Sequence, residues 1–167
     1  GQAPSADEGG NKTGSSYVIK FGHGSAENNA RHKAALKFKE LVEAKSNGDI
    51  QVEVYPNEVL GSEREMLENV QLNNIQMTAA GTGIFAGFYP KIGVIELPYI
   101  FETFDQAWKV LDGPVGAELT EPLKDKGIRV LAFWENGFRH VTNNVRPINQ
   151  PSDLAGLKIR VPEIPVT

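Results

Sequence analysis

Arg139 and Arg160 are the residues of this sequence best suited to binding a charged small molecule. In Leu157-Lys158-Ile159-Arg160-Val161 the apolar residues alternate with the cations, so a strand here presents Lys158 and Arg160 on one face. A guanidinium held on a rigid strand suits bidentate capture of a carboxylate, and two such groups near one cleft would select acids. An arginine inside a strand is usually just solvated, and spacing alone does not bring Arg139 and Arg160 together. The three histidines, His23, His32 and His140, have no second ligand at metal spacing and read as polar surface or turn residues. Neither a Walker motif nor a Gly-x-Ser-x-Gly elbow is present. Gly22-His23-Gly24-Ser25 lies between an apolar run and a helical one, as a dinucleotide fingerprint does. Glu27 takes the place of the third glycine, however, and its carboxylate opposes a pyrophosphate. Backbone amides of that turn remain able to hold a smaller polar ligand. The sequence thus assigns no catalytic residue, no metal and no cofactor.

The elements that must position these groups alternate strand and helix. Tyr17, Ile19 and Phe21 alternate with Val18 and Lys20, a short strand. A helix is predicted over residues 27–45, with Ala30, Ala34, Phe38, Leu41 and Val42 at helical spacing and a left-handed stop at Asn47-Gly48. Residues 50–55 alternate again. Ser62 and Glu65 form a capping box for a helix carrying Met66, Leu67 and Val70, and a third strand is predicted over residues 75–80. Residues 92–100, interrupted by Pro98, read as extended. Thr103 and Gln106 match a second capping box, before a helix expected to bury Ala107, Trp108 and Leu111. Pro114 suits a helix start, and Pro122 is expected to split the following helix. Strands are predicted over residues 128–134, 138–143 and 157–161, with a helical turn at Pro151 to Leu154. This order predicts an α/β fold, a parallel or mixed sheet covered by helices. Ligands of such sheets sit beyond the carboxyl ends of the strands, which puts the turns at residues 22–28 and 81–83 on the binding edge.

The chain of 167 residues is 40% hydrophobic and 23% charged, ordinary for a globular protein. Its formal net charge of -4 argues against a nucleic-acid partner, which calls for a basic face. No cysteine is present, which excludes disulfides, thiolate metal sites and a cysteine nucleophile. No run approaches the roughly 20 apolar residues of a membrane helix. Residues 1–16 are Gly-, Ser- and Asn-rich without apolar periodicity and read as a flexible tail or tether.

From Tyr17 to Pro162 the sequence resembles the DctP-type solute receptors of TRAP (tripartite ATP-independent periplasmic) transporters. Four ordered blocks carry the resemblance. They are the opening strand with its Gly turn and long helix, the segment Val54-Tyr55-Pro56-Asn57-Glu58-Val59-Leu60-Gly61-Ser62-Glu63-Arg64-Glu65, and Glu96-Leu97-Pro98-Tyr99-Ile100-Phe101. The fourth is Gly137-Phe138-Arg139-His140-Val141-Thr142-Asn143 with Arg146-Pro147-Ile148 and the run from Asp153 to Pro162.

The resemblance implies a periplasmic-binding-protein-like fold of two α/β lobes that close around an organic acid. It implies that Arg160 forms a salt bridge with the ligand carboxylate and that Arg139 assists. First-lobe contacts are implied for His23, Gly24, Ser25, Glu63, Gly81 and Thr82. Some members carry an acidic residue in the loop of Gly81 and Thr82, where this chain has small ones. Family members are considerably longer, so residues 17–134 are expected to form the first lobe and residues 135–167 an incomplete start of the second. The implied partners are a small carboxylate, the TRAP membrane permease subunits, and the chain's own C-terminal half or a swapped neighbour. The implied location is periplasmic or extracytoplasmic, with residues 1–16 suiting a lipid-anchored tether. A ligand-sensing domain, or an enzyme on a similar α/β fold, is the alternative.

Overall fold

The structure, a computed structural model, describes residues 16–161. Apart from Ser16, the tether expected over residues 1–16 lies outside the described residues, as do Pro162, the last residue of the fourth block, and residues 163–167. The chain divides into two compact units, Gly1–Ala79 and Ala80–Thr167.

The first unit is built on a parallel sheet of β1 (Tyr17–His23), β2 (Ile50–Tyr55) and β3 (Met77–Ala79), in the order β2-β1-β3. Tyr17 pairs with Ile50 and Gly22 with Tyr55, while Phe21 pairs with Met77 and His23 with Ala79 on the other side. Parallel neighbours need long crossovers, here α1 (Ala30–Lys45) and α2 (Glu63–Gln71). All three strands therefore end on one edge, at His23, Tyr55 and Ala79. β3 is shorter than predicted. The Gln76 side chain, not a ladder carbonyl, accepts the Lys20 N–H at 3.1 Å, which closes the pairing before Met77.

β1 is the central strand, and its alternation decides the core. Ile19, Phe21 and His23 share a face. Phe21 is fully buried with Ala35 and Val52, and Phe38, Val42, Val54 and Met77 pack around them. The Phe21 and Phe38 rings meet edge-to-face with centroids 5.8 Å apart. Burial of a phenylalanine side chain contributes about 1.5–3 kcal/mol. α1 begins at Ala30, later than predicted, because Asn29 Oδ1 accepts the Arg31 N–H at 2.8 Å and fixes the first turn. Its inward stripe is rotated from the predicted one: His32 and Ala35 are buried, and Leu36 and Leu41 are exposed. The stop comes as expected, with Asn47 and Gly48 both left-handed.

The other face of β1 receives α2. Its capping box forms as predicted, with Ser62 Oγ accepting the Glu65 N–H at 3.3 Å and Glu65 Oε2 accepting the Ser62 N–H at 2.8 Å. This sets Met66 and Leu67 into the core, both at most 1% exposed. Gly22 makes the approach possible: a Cβ there would lie 2.5 Å from Met66 Sδ.

The second unit is helical where it is regular. It holds α3 (Thr82–Phe85), a 3-10 turn at Pro90–Glu96, α4 (Phe104–Leu111), α5 (Pro114–Thr120), a 3-10 turn at Glu121–Lys126 and another at Pro151–Leu154. The extended segment predicted over residues 92–100 is instead largely the 3-10 turn that buries Ile92 and Gly93. Thr103 Oγ1 caps α4 by accepting the Gln106 N–H at 3.2 Å, but Gln106 Oε1 reaches back to Glu102 N, at 3.0 Å. Trp108 is exposed, contrary to expectation, and α4 has no buried residue. Pro114 starts α5, and the helix gives way to a 3-10 turn at Glu121-Pro122, as predicted. Leu123 and Ile128 are buried. Among the described residues none of the predicted strands over 128–134, 138–143 and 157–161 forms. A strand exists only with a ladder partner, and alternation supplies a face without supplying that partner. No helix of the described residues is long and apolar enough to cross a membrane.

Candidate functional site

Three segments of the first unit meet at the carboxyl edge of its sheet. The turn after β1 is tied to the turn after β2 by Asn57 N donating to Ser25 O at 3.1 Å and Glu58 N donating to His23 O at 3.2 Å. Arg31, in the first turn of α1, reaches Glu63 Oε1 at the start of α2 with Nη1 at 2.6 Å, and the same nitrogen lies 3.4 Å from Ala79 O at the end of β3. The pair is largely shielded, with side-chain exposures of 17% and 22%. Gly24 sits among acids: a Cβ on it would be 3.1 Å from both Glu58 Oε1 and Glu63 Oε1. The absent side chain is what lets these carboxylates close on the turn.

Beneath this turn lies a histidine pair. His23 is fully buried and His32 is 9% exposed, which corrects the expectation that they are surface or turn residues. His23 keeps the phase of Ile19 and Phe21 and so points at α1, where His32 lies one turn before Ala35. His23 Nε2 and His32 Nδ1 are 3.1 Å apart, and Ser25 N donates to His23 Nδ1 at 3.2 Å. The amide can only donate, so Nδ1 of a neutral His23 is bare and its proton is on Nε2, pointing at a bare Nδ1 of His32. Burial pushes the His23 imidazole below its ordinary 6.5, reinforced by His32 and Arg31 and opposed by Glu63.

Of the residues implied as ligand contacts, the structure brings His23, Gly24, Ser25 and Glu63 together on this edge. His23 has both ring nitrogens engaged within the protein, so in this arrangement it acts through the turn it braces. Gly81 and Thr82 belong to the second unit. Gly81 precedes α3, and the Thr82 hydroxyl donates to the Glu96 carboxylate. Arg139, Arg160 and His140 are exposed, and among the described residues neither Arg139 nor Arg160 is in an ion pair. Arg146 differs: its guanidinium donates to the carbonyls of Asp153, at 3.0 Å, and Ala155, which makes it a brace for its own loop. Asp153 in turn accepts the N–H groups of Asn149 and Gln150, and these bonds hold its carboxyl below the usual range. No cluster of three or more His, Asp or Glu suited to a metal occurs among the described residues.

Nothing in the sequence singles out Arg31 or Glu58, and His32 reads there as a surface residue. Asn29 three residues before His32 signals a later cap, and that shift would have turned Arg31 toward the edge and His32 inward.

Comparison with known proteins agrees with this architecture. The model of DctP, bacterial extracellular solute-binding protein family 7, matches residues 21–167. The chain is 37% identical over 148 residues to the 2,3-diketo-L-gulonate-binding periplasmic protein YiaO of Escherichia coli, covering 89% of this chain and 45% of that protein. It is 42% identical over 145 residues to the C4-dicarboxylate-binding periplasmic protein DctP of Rhodobacter capsulatus, covering 86% and 43%. The sugar acid binding protein DctPAm of Advenella mimigardefordensis, solved with galactonate, superposes with a TM-score of 0.86 at 35% identity over 89% of this chain and 48% of that one. The chain thus spans about half the length of the relatives it matches. The expected periplasmic-binding-protein-like α/β fold is borne out by these neighbours. With its family model matched over residues 21–167 and its parallel-strand edge in place, the chain belongs to the DctP family of bacterial extracellular solute-binding proteins.

Proposed function

We propose that this chain is the N-terminal part of a periplasmic receptor that captures a small organic acid and delivers it to the membrane subunits of a TRAP-type transporter. The observation that carries this is the family match together with what its members are named for: diketogulonate, C4-dicarboxylates and galactonate differ in length and hydroxylation but share a carboxylate. The role is binding and not catalysis, in keeping with relatives that are named as binding proteins. Arg160 is the carboxylate anchor and Arg139 its assistant, for both are exposed cations without an acidic partner among the described residues. Gly24, Ser25, Glu63, Gly81 and Thr82 are the further polar contacts that the family likeness implies. Removing a charge that anchors a buried ligand costs about 2–5 kcal/mol.

The test is a thermal-shift screen of the complete receptor against dicarboxylates, keto acids and sugar acids, followed by calorimetry. A ligand that binds only the native state raises the melting temperature. One carboxylate class should do so, and Arg160→Ala should weaken it by at least about thirtyfold. Unchanged affinity in Arg160→Ala would remove Arg160 from the site. A folded receptor that no acid stabilises, and that co-purifies with a ligand lacking a carboxylate, would overturn acid capture itself.

A further inference from the structure

We infer that His23 and His32 form a one-proton latch on the turn at residues 23–25, closed when the pair is neutral and released when it takes up a proton. The bonding pattern leads to this directly. Ser25 N–H donates to His23 Nδ1, and His23 Nε2 faces His32 Nδ1 at 3.1 Å. The neutral pair satisfies both contacts in only one arrangement, with His23 protonated at Nε2 and His32 bare at Nδ1. A proton added to His23 lands on Nδ1 and meets the Ser25 N–H head on. One added at His32 Nδ1 forces the His23 proton from Nε2 to Nδ1, with the same result. As long as the ring–ring contact holds, the Ser25 hydrogen bond is lost wherever the proton enters.

The surroundings oppose that proton. His23 is fully buried on β1, with His32 and Arg31 facing it from α1, Glu63 from α2, and Glu58 beside Gly24 in the turn after β2. Arg31 is already held by Glu63 at 2.6 Å, so the nearest carboxylate is not available to welcome an imidazolium without giving up its guanidinium. The strain of protonation therefore falls on the turn. That turn is bound to the β2 side through Asn57 N to Ser25 O and Glu58 N to His23 O, so its release loosens the carboxyl edge of the sheet. Only the consequence for ligand rests on the function proposed above: acid weakens capture at this edge.

The test needs no ligand and uses the complete receptor that contains this chain. Side-chain 1H–15N correlation spectra are recorded from about pH 8 to pH 5, with Ser25 amide exchange normalised to the unprotected rate at each pH. Bare Nδ1 atoms on both rings are expected at pH 8. On acidification His23 Nδ1 should gain a proton while Ser25 protection falls about tenfold, the worth of one hydrogen bond. His32→Asn puts an amide oxygen near the Nδ1 position, keeps the Nε2 proton of His23 bonded and should leave Ser25 protected at pH 8. His23→Asn leaves an acceptor that cannot titrate and should flatten the pH dependence. A protonated His23 Nδ1 at pH 8, Ser25 protection that stays flat while the rings titrate, or rings that stay neutral until the chain unfolds would each overturn the latch. An acid screen without hits leaves these spectra untouched, so failure of the receptor function and failure of the latch are separately visible.

Discussion

Glu63→Gln tests the most consequential contact of the first unit. Glu63 meets Arg31 at 2.6 Å with about four-fifths of each side chain shielded. An exposed ion pair contributes about 0–1 kcal/mol, and breaking a fully buried one costs about 3–5 kcal/mol. The shielding places this pair between those limits, near 2 kcal/mol, in line with a charge-assisted hydrogen bond. For a chain of this length that is a fall of about 4–8 °C in melting temperature. Arg31→Met should cost more, since Arg31 Nη1 also lies 3.4 Å from Ala79 O and so ties α1 to the end of β3. The double-mutant cycle isolates the pair itself, and its coupling should survive 1 M salt because the contact is shielded from solvent. Urea denaturation of the four proteins measures it. A coupling under about 0.5 kcal/mol, or one abolished by salt, would mean that the pair is a surface contact and does not organise the edge.

Phe21→Ala should destabilise the first unit by about 3–5 kcal/mol, because the ring is fully buried against Phe38 on the central strand; a shift of less than about 1 kcal/mol in urea denaturation would place the core elsewhere. Ser62→Ala removes the cap of α2 and should cost about 1 kcal/mol in the same assay, with Ser62→Gly much milder. Hydrogen bonds from Ser62 hold the Glu65 carboxyl below its ordinary 4.5, so its contribution is full above that pH and lost as pH falls through the lowered value; Glu65→Gln should remove this acid limb from a melting-temperature profile. His23 is depressed below 6.5, so the unfolded chain binds more protons in that window and stability should fall as pH drops below 6.5; a profile flat from pH 8 to pH 5 would refute the burial argument.

The local chemistry of the first unit was legible because each signal is complete within a few residues. Ser62 and Glu65 are the entire capping box, and Asn47-Gly48 the entire stop, so no distant partner is needed. The same alternation that made Tyr17, Ile19 and Phe21 a strand also put His23 in phase with them, and the stripe of α1 that ends in His32 packs on that face. Residue type alone places both histidines at the surface, whereas their phase places them inside as a buried polar pair. In the second unit the alternation at Leu157 to Val161 is real, but a face is not a ladder, and no neighbouring strand pairs with it among the described residues. Trp108 failed for a related reason: an amphipathic helix has an apolar face whether or not something covers it, and here Phe104 and Phe138 share that exposed cluster.

The distribution of charge suggests how the work of recognition is divided. In the first unit the candidate edge carries one guanidinium, Arg31, and it is already neutralised by Glu63, with Glu58 nearby. That edge is poorly suited to holding a carboxylate and well suited to accepting hydrogen bonds from a hydroxyl or offering backbone amides to a carbonyl. Arg146, in the second unit, is committed to the carbonyls of Asp153 and Ala155. Among the arginines of the four blocks that carry the family resemblance this leaves Arg139 and Arg160 exposed and outside any ion pair among the described residues. Under the function proposed above, these two are the groups left to anchor an acid anion. The division makes the two sets of substitutions separable: Arg160→Ala should weaken every acid that binds, whereas changes at Gly24 or Glu63 should alter the ranking among acids. If Glu63→Gln scaled all affinities equally, Glu63 would play no part in telling one acid from another.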